Sequence, residues 1–186
     1  EIRQMRKGEL KFLRALAYFE GMRVFGVYLP YIDETNQEND PKVHNDKDIY
    51  SLVVADVDDA IANLSDDPEV VGEVGRANKS AAKALKAKIL MWRGDLAEAQ
   101  PILADVLTNG VTSKGMAYGL EDDLDNNFNA LTENGKESIF AVQYSNAAEN
   151  MGGAAFCLAY PHNTGPGGCC VFYQPSFELV NSSQVD

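Results

Sequence analysis

Residues Lys79 to Gly110 read KSAAKALKAKILMWRGDLAEAQPILADVLTNG, and the fold class turns on this stretch. Ala82, Leu85, Ile89 and Trp92 recur at steps of three and four, which sets them on one face of a helix over Lys79 to Arg93. That spacing assigns Trp92 to core packing. Gly94 supplies a C-terminal stop, because glycine readily takes the left-handed backbone on which many helices end. Asp95 and Glu98 have the spacing of a capping box for the next helix, and Leu96, Ala99, Leu103, Val106 and Leu107 carry that helix to Gly110. Pro101 removes a backbone donor inside it and is expected to bend it. Small Ala87 and Ala99 against large Leu90, Leu103 and Val106 let two helices approach closely with the groove between them filled.

This is the spacing of a tetratricopeptide-like helix pair, and more helix precedes it. One helix is expected from about Ile2 to Phe25, with Leu10, Leu13, Leu16, Ala17 and Phe19 as its apolar face and Gly26 and Pro30 as its stop. Another follows from Ile49, Leu52, Val53, Val57, Ala60, Ile61 and Leu64, with Asp46 as N-cap and the Pro68 region as its end. Asp56, Asp58 and Asp59 fall mainly on the opposite, solvent side of that helix. The expected fold is therefore mainly α. Residues 1–110 read as a helical scaffold, and 111–186 as a loop-rich segment with one short strand at Glu137 to Tyr144, ESIFAVQY.

Composition narrows the function. The chain has 186 residues, 45% of them hydrophobic, enough for a sizeable core. Its net charge of −12 has the wrong sign for phosphate backbones or anionic membrane surfaces, which makes nucleic acid a poor partner. No apolar run reaches the roughly 20 residues of a membrane-spanning helix. The first residues carry neither an initiator Met nor a leader pattern and already read as helix, so the expectation is a fragment or a trimmed chain. Cys157, Cys169 and Cys170 do not form a zinc spacing or a disulfide scaffold.

Reactive chemistry is sparse. Asp122, Asp123 and Asp125 suggest a calcium loop, but counting from Asp123 the required Gly and Glu positions hold Phe128 and Asn134. A solvated acidic turn is the preferred reading, with a looser calcium site as the alternative. His44 and His162 stand apart from other metal ligands and read as surface or loop-packing residues. Cys157 and His162 are not oriented by proximity in sequence, and Cys169 and Cys170 read as reduced structural thiols with no cation nearby to activate them. Gly165-Pro166-Gly167-Gly168 lacks the Lys and Ser/Thr of a phosphate loop. These residues give no motif for an enzyme or a cofactor.

Met151 to Pro175 is different in kind. It holds five Gly and three Pro, and the aromatic residues Phe156, Tyr160, Phe172, Tyr173 and Phe177 lie in and just after it. No Lys or Arg occurs after Lys136. Long ordered loops on a rigid scaffold are where binding often resides.

A series of short motifs then runs in one order: Phe12-Leu13-Arg14-Ala15 with Tyr18-Phe19-Glu20, Arg23-Val24-Phe25-Gly26 and Pro30, then Ile49-Tyr50 with Asp56-Val57-Asp58-Asp59-Ala60. Gly75 to Ala82, Ala84 to Ile89 with Arg93-Gly94-Asp95, Glu137 to Gln143, and Gly165 to Cys170 with Phe172 to Ser176 complete it. Together they resemble the SusD/RagB outer-membrane lipoproteins of Bacteroidetes. The resemblance implies one SusD-like domain of tetratricopeptide-type helical pairs carrying a loop-rich ligand-binding portion. It also implies a non-enzymatic role in nutrient uptake: cell-surface binding of glycans and their delivery to a SusC-type TonB-dependent transporter. Attachment to the outer membrane would be through a lipidated N-terminal Cys absent from this sequence.

A neutral oligosaccharide is held by aromatic faces and by polar groups reaching its hydroxyls. The expected ligand-binding residues are accordingly Tyr160, His162, Asn163, Phe172, Tyr173 and Gln174. Two other readings compete. A helical-repeat adaptor would hold a protein or peptide in a concave groove, and a glycan-cleaving enzyme would need two facing carboxylates, for which the loop offers only Glu149 and Glu178.

Overall fold

The computed structural model describes residues 2–36, 43–143 and 181. Contacts divide the chain after Ala141, and the architecture below is that of the first unit, Glu1–Ala141. It is mainly helical, as the periodicity implied: α1 (Ile2–Phe25), α2 (Tyr50–Asn63), the single turn α3 (Pro68–Val71), α4 (Lys79–Arg93) and α5 (Leu96–Asn109), followed by two short 3-10 turns, Leu124–Asn127 and Ala130–Thr132.

α1 buries Met5, Gly8, Phe12, Ala15, Phe19 and Met22, a stripe at steps of three and four. Of the expected face Phe19 is buried and Leu16 packs against the core, whereas Leu10, Leu13 and Ala17 are exposed. The reason is close approach. A Cβ on Gly8 would lie 3.1 Å from the Asn63 Cβ and 3.3 Å from the Leu64 Cγ, so α2 can settle only over the stripe that offers glycine and alanine between large rings. From α2 that stripe receives Val53, Val57 and Ala60, with Ile49 and Leu64 buried at its two ends, while Leu52 faces out. Ala81, Ala82, Leu85 and Ile89 of α4 close the same core, and Phe140 packs against it, edge-on to Phe12 at a ring separation of 4.8 Å.

The helix ends follow their capping chemistry with two departures from expectation. Asn78 caps α4, accepting from the Ala81 N–H at 2.8 Å and donating to the Val111 carbonyl at 2.7 Å. Gly94 ends α4 at φ 98°, left-handed as expected, and its N–H reaches the Leu90 and Met91 carbonyls. Asp46 does not cap α2. That helix starts one turn later, where the Asp48 carboxylate accepts from the Tyr50 N–H at 2.8 Å. Asp95 makes no cap bond to α5 either, because its carboxylate accepts the Tyr50 hydroxyl at 3.1 Å.

α5 runs through Pro101 and doubles back on α4 across a small apolar cluster of Ala87, Leu90 and Ala99, with Ile102 and Leu103 partly buried against it. Trp92 is only partly core: it meets Phe19 edge-on at 6.0 Å and keeps 39% of its surface exposed. The expected strand does not form. Residues 137–143 carry no strand among the described residues, and Phe140 packs against the core. Tyr144 lies outside the described residues.

Candidate functional site

The polar centre of the described chain is built on Asp56. Its position three after Val53 and four before Ala60 puts it in phase with the buried stripe of α2, and it is buried rather than solvated as the sequence suggested. Arg14 of α1 meets it with a two-pronged pair, Nε to Oδ2 at 2.6 Å and Nη2 to Oδ1 at 2.7 Å. Lys11 Nζ stands 3.1 Å from Oδ1, and the Tyr31 hydroxyl donates to Oδ2 at 2.5 Å. Burial by itself would raise the Asp56 pKa, and the hydrogen bonds from Arg14, Tyr31 and Lys11 together outweigh it and hold the carboxyl below its ordinary 3.8. The same burial, with the bond to Asp56, pushes the Tyr31 phenol up.

These contacts fix the segment between α1 and α2. Its two ends are pinned together where the Ile49 N–H donates to the Val27 carbonyl at 3.0 Å, beside a single bridge between Tyr28 and Asp48. Tyr31 is held between the Tyr18 ring, 4.8 Å away, and the Arg14 guanidinium, 5.3 Å from its centroid. Glu34 receives Lys11 at 2.9 Å and Arg14 at 3.1 Å. The hydrogen bond from Lys11, then those from its own backbone and from Arg14, bring the Glu34 carboxyl down to about 2. Asn36 ties the turn by donating to the Tyr31 carbonyl and accepting from the Asp33 N–H.

Held in this way, the segment encloses a recess of about 360 Å³. Leu29, Ile49 and Leu52 give it an apolar floor, Tyr31 a ring, and Asp33, Thr35, Asn36, His44, Asp46 and Lys47 a polar rim. The side chains of His44, Asp46 and Lys47 form no hydrogen bond or ion pair among the described residues. An apolar floor with a few convergent donors and acceptors suits a small polyhydroxylated ligand.

The acidic turn at 122–125 serves local structure. Asp123 accepts from the Asp125 N–H at 3.0 Å and Asp122 stands 3.4 Å from Lys136 Nζ. No group of three potential metal-ligating side chains occurs among the described residues, and none of their helices is long and apolar enough to cross a membrane.

Tyr160, His162, Asn163, Phe172, Tyr173 and Gln174 all lie outside the described residues, as do Cys157, Cys169 and Cys170. Sequence reasoning missed Tyr31 and its recess. The legible signal was Asp56, an acid in register with an apolar stripe, which requires a buried cation such as Arg14 to be tolerated.

The comparisons with known proteins point one way. A SusD-like family model, described as starch-binding and associating with the outer membrane, matches residues 1–91, which takes in α1, α2, α3 and most of α4. A solved SusD-like protein superposes with a TM-score of 0.64 at 25% identity over 76% of this chain, and the chain spans 29% of the length of that structure. No curated protein matches. The ordered motifs, the α1–α2–α4 core and the two likenesses agree in direction: over residues 1–91 the chain is similar to the SusD-like family.

Proposed function

We propose that this chain takes part in capturing glycans at the outer membrane and passing them to a SusC-type TonB-dependent transporter, its parent protein being surface-exposed through a lipidated N-terminus. The observation that carries this reading is the match of residues 1–91 to a family described as starch-binding. The segment from Phe156 to Phe177 supports it by composition: five aromatics, hydrogen-bonding Asn163 and Gln174, and no basic residue. Tyr160, His162, Asn163, Phe172, Tyr173 and Gln174 would supply stacking faces and hydroxyl contacts. The recess beside Tyr31 would add a second point of contact, with His44 and Asp46 at its rim. A net charge of −12 favours neutral over polyanionic glycans.

A peptide-binding adaptor would instead use the apolar trough on the α4–α5 pair, lined by Met91, Leu96, Leu103 and Leu107. The trough is apolar apart from Gln100, and it is the likeness of residues 1–91 to a starch-binding family that favours the glycan reading over this one. A glycan array probed with the chain, followed by titration of the hits, tests the choice. Binding to neutral polysaccharides that competes with their free oligosaccharides supports glycan capture. An array with no hits, alongside saturable binding of apolar peptides that is lost in Leu103→Ser, would reverse it.

A further inference from the structure

The dipeptide Asn-Gly occurs twice in the chain, at Asn109-Gly110 and at Asn134-Gly135. It is the pair most prone to spontaneous loss of the asparagine amide, because a glycine carries no side chain to stop its own backbone nitrogen from turning onto the asparagine side chain. Sequence ranks the two sites equally, and the structure separates them.

Asn109 is the last residue of α5. The Gly110 nitrogen, the atom that would have to attack, donates its proton to the Val106 carbonyl at 2.9 Å, and the Asn109 side-chain amide donates to Asp105 at 2.8 Å. Gly110 is also buried in close quarters, since a Cβ there would fall 2.3 Å from the Val106 oxygen and 2.9 Å from the Tyr118 ring. Both reacting groups are committed to the end of the helix.

The second site lacks these restraints. Asn134 and Gly135 follow the 3-10 turn Ala130–Thr132 and belong to no helix. Among the described residues Asn134 alone combines a side chain with a positive φ, 56°, a backbone region that asparagine tolerates better than most residues without favouring it. The Gly135 carbonyl accepts from the Ser138 N–H at 3.0 Å, but the Gly135 N–H itself makes no hydrogen bond among the described residues.

We propose that Asn134 is a site of spontaneous deamidation in the folded chain and that the fold protects Asn109. The Gly135 nitrogen gives its proton to base and attacks the Asn134 side-chain carbonyl carbon. The new C–N bond closes a five-membered succinimide, and the side-chain nitrogen leaves as ammonia. Water then adds to one of the two ring carbonyls and opens the ring, leaving aspartate or isoaspartate at position 134. Isoaspartate lengthens the main chain by one methylene between the Glu133 carbonyl, which accepts from Lys114 Nζ, and the Lys136 N–H, which donates to Glu121 at 2.8 Å. The reaction requires neither a bound glycan nor a docking face, since the attacking atom belongs to the chain itself.

Peptide mapping by mass spectrometry, on the whole 186-residue chain kept at mildly alkaline pH and sampled over days, reads the result. The peptide spanning 134 should gain about 1 Da and split into aspartyl and isoaspartyl forms. Dividing each site's rate by its rate in urea removes the influence of neighbouring residues. Position 134 should then stay within about tenfold of its unfolded rate, with 109 slowed at least about tenfold further, because its amide is released only when the helix end opens. Asn134→Gln, whose longer side chain would have to close a less favoured six-membered ring, should abolish the fast gain. That assigns it to Asn134 rather than to Asn126, Asn127 or Asn129 nearby. Equal protection at the two sites, stronger protection at 134, or a fast mass gain that persists in Asn134→Gln overturns the proposal.

Discussion

Asp56 carries more of this fold than its sequence neighbourhood suggests. A carboxylate on a buried helix face is tolerated because Arg14, Lys11 and Tyr31 all reach it, and removing it would strand the Arg14 and Lys11 charges in a partly buried site. Asp56→Ala should cost about 3 to 5 kcal/mol in urea unfolding. A loss under about 1 kcal/mol would mean that the cluster is surface decoration. Its titration has a defined sign. The folded-state pKa of Asp56 lies below the ordinary 3.8, so at neutral pH both states are ionised and the full stabilisation is present. As the pH falls through 3.8 the unfolded chain takes up the proton first, and stability drains until the folded carboxyl protonates as well. Melts between pH 6 and pH 3 should therefore show a steep acid loss in the wild type and a shallower one in Asp56→Asn. Tyr118 makes the opposite case. Burial, followed by the nearby Asp66 charge, pushes its phenol up to about 12, and its hydroxyl has no hydrogen-bond partner among the described residues. Tyr118→Phe should be neutral or stabilising by up to about 1 kcal/mol, since it removes a buried polar atom that gains nothing.

At the scale of elements, α4 and α5 form a hairpin whose interface is small, so each contact in it weighs heavily. Leu90 is buried between Ala87 and Ala99, and Leu90→Ala should cost about 2 to 5 kcal/mol through lost burial and a cavity. Leu103 is only partly buried and opens on the trough, so the same substitution there should cost clearly less. Chemical denaturation of the two variants side by side checks that order. Gly94→Ala should lose about 1 to 2 kcal/mol, because a Cβ at φ 98° is strained even though the space around it is open. The existence and extent of the long helices were legible in the spacing of their apolar residues. Their ends were less so, because Asp95 and Asp46 have the right chemistry for caps and the competition is settled by a residue distant in sequence, as Tyr50 does for Asp95. The buried face of α1 was also misread. Leu10 and Leu13 fit a helical stripe as well as Met5 and Phe12 do, and only the close approach at Gly8 decides between them.

For the whole molecule, a helical core of α1, α2 and α4 holds residues 26–36 and 43–49 in place, Tyr31 and Glu34 through Asp56, Arg14 and Lys11 and the two ends through the Ile49 N–H on the Val27 carbonyl. The family was readable because its motifs are the structural ones: Arg14 and Asp56 pair, Gly94 turns, and Phe12, Phe19 and Phe140 share one core. The recess at Tyr31 was not, since its walls come from a segment without periodicity that takes its shape from contacts to two helices. The central claim is that this chain contacts a neutral glycan through the rings of its last third, and calorimetric titration with an oligosaccharide drawn from the array hits tests it most directly. Tyr160→Ala and Tyr173→Ala should each weaken binding by about 1 to 3 kcal/mol, with the melting temperature barely changed and with little dependence on salt. Unchanged affinity together with a sharply lowered melting temperature in both variants would contradict it, showing that these rings pack inside the protein and that the sugar is held elsewhere.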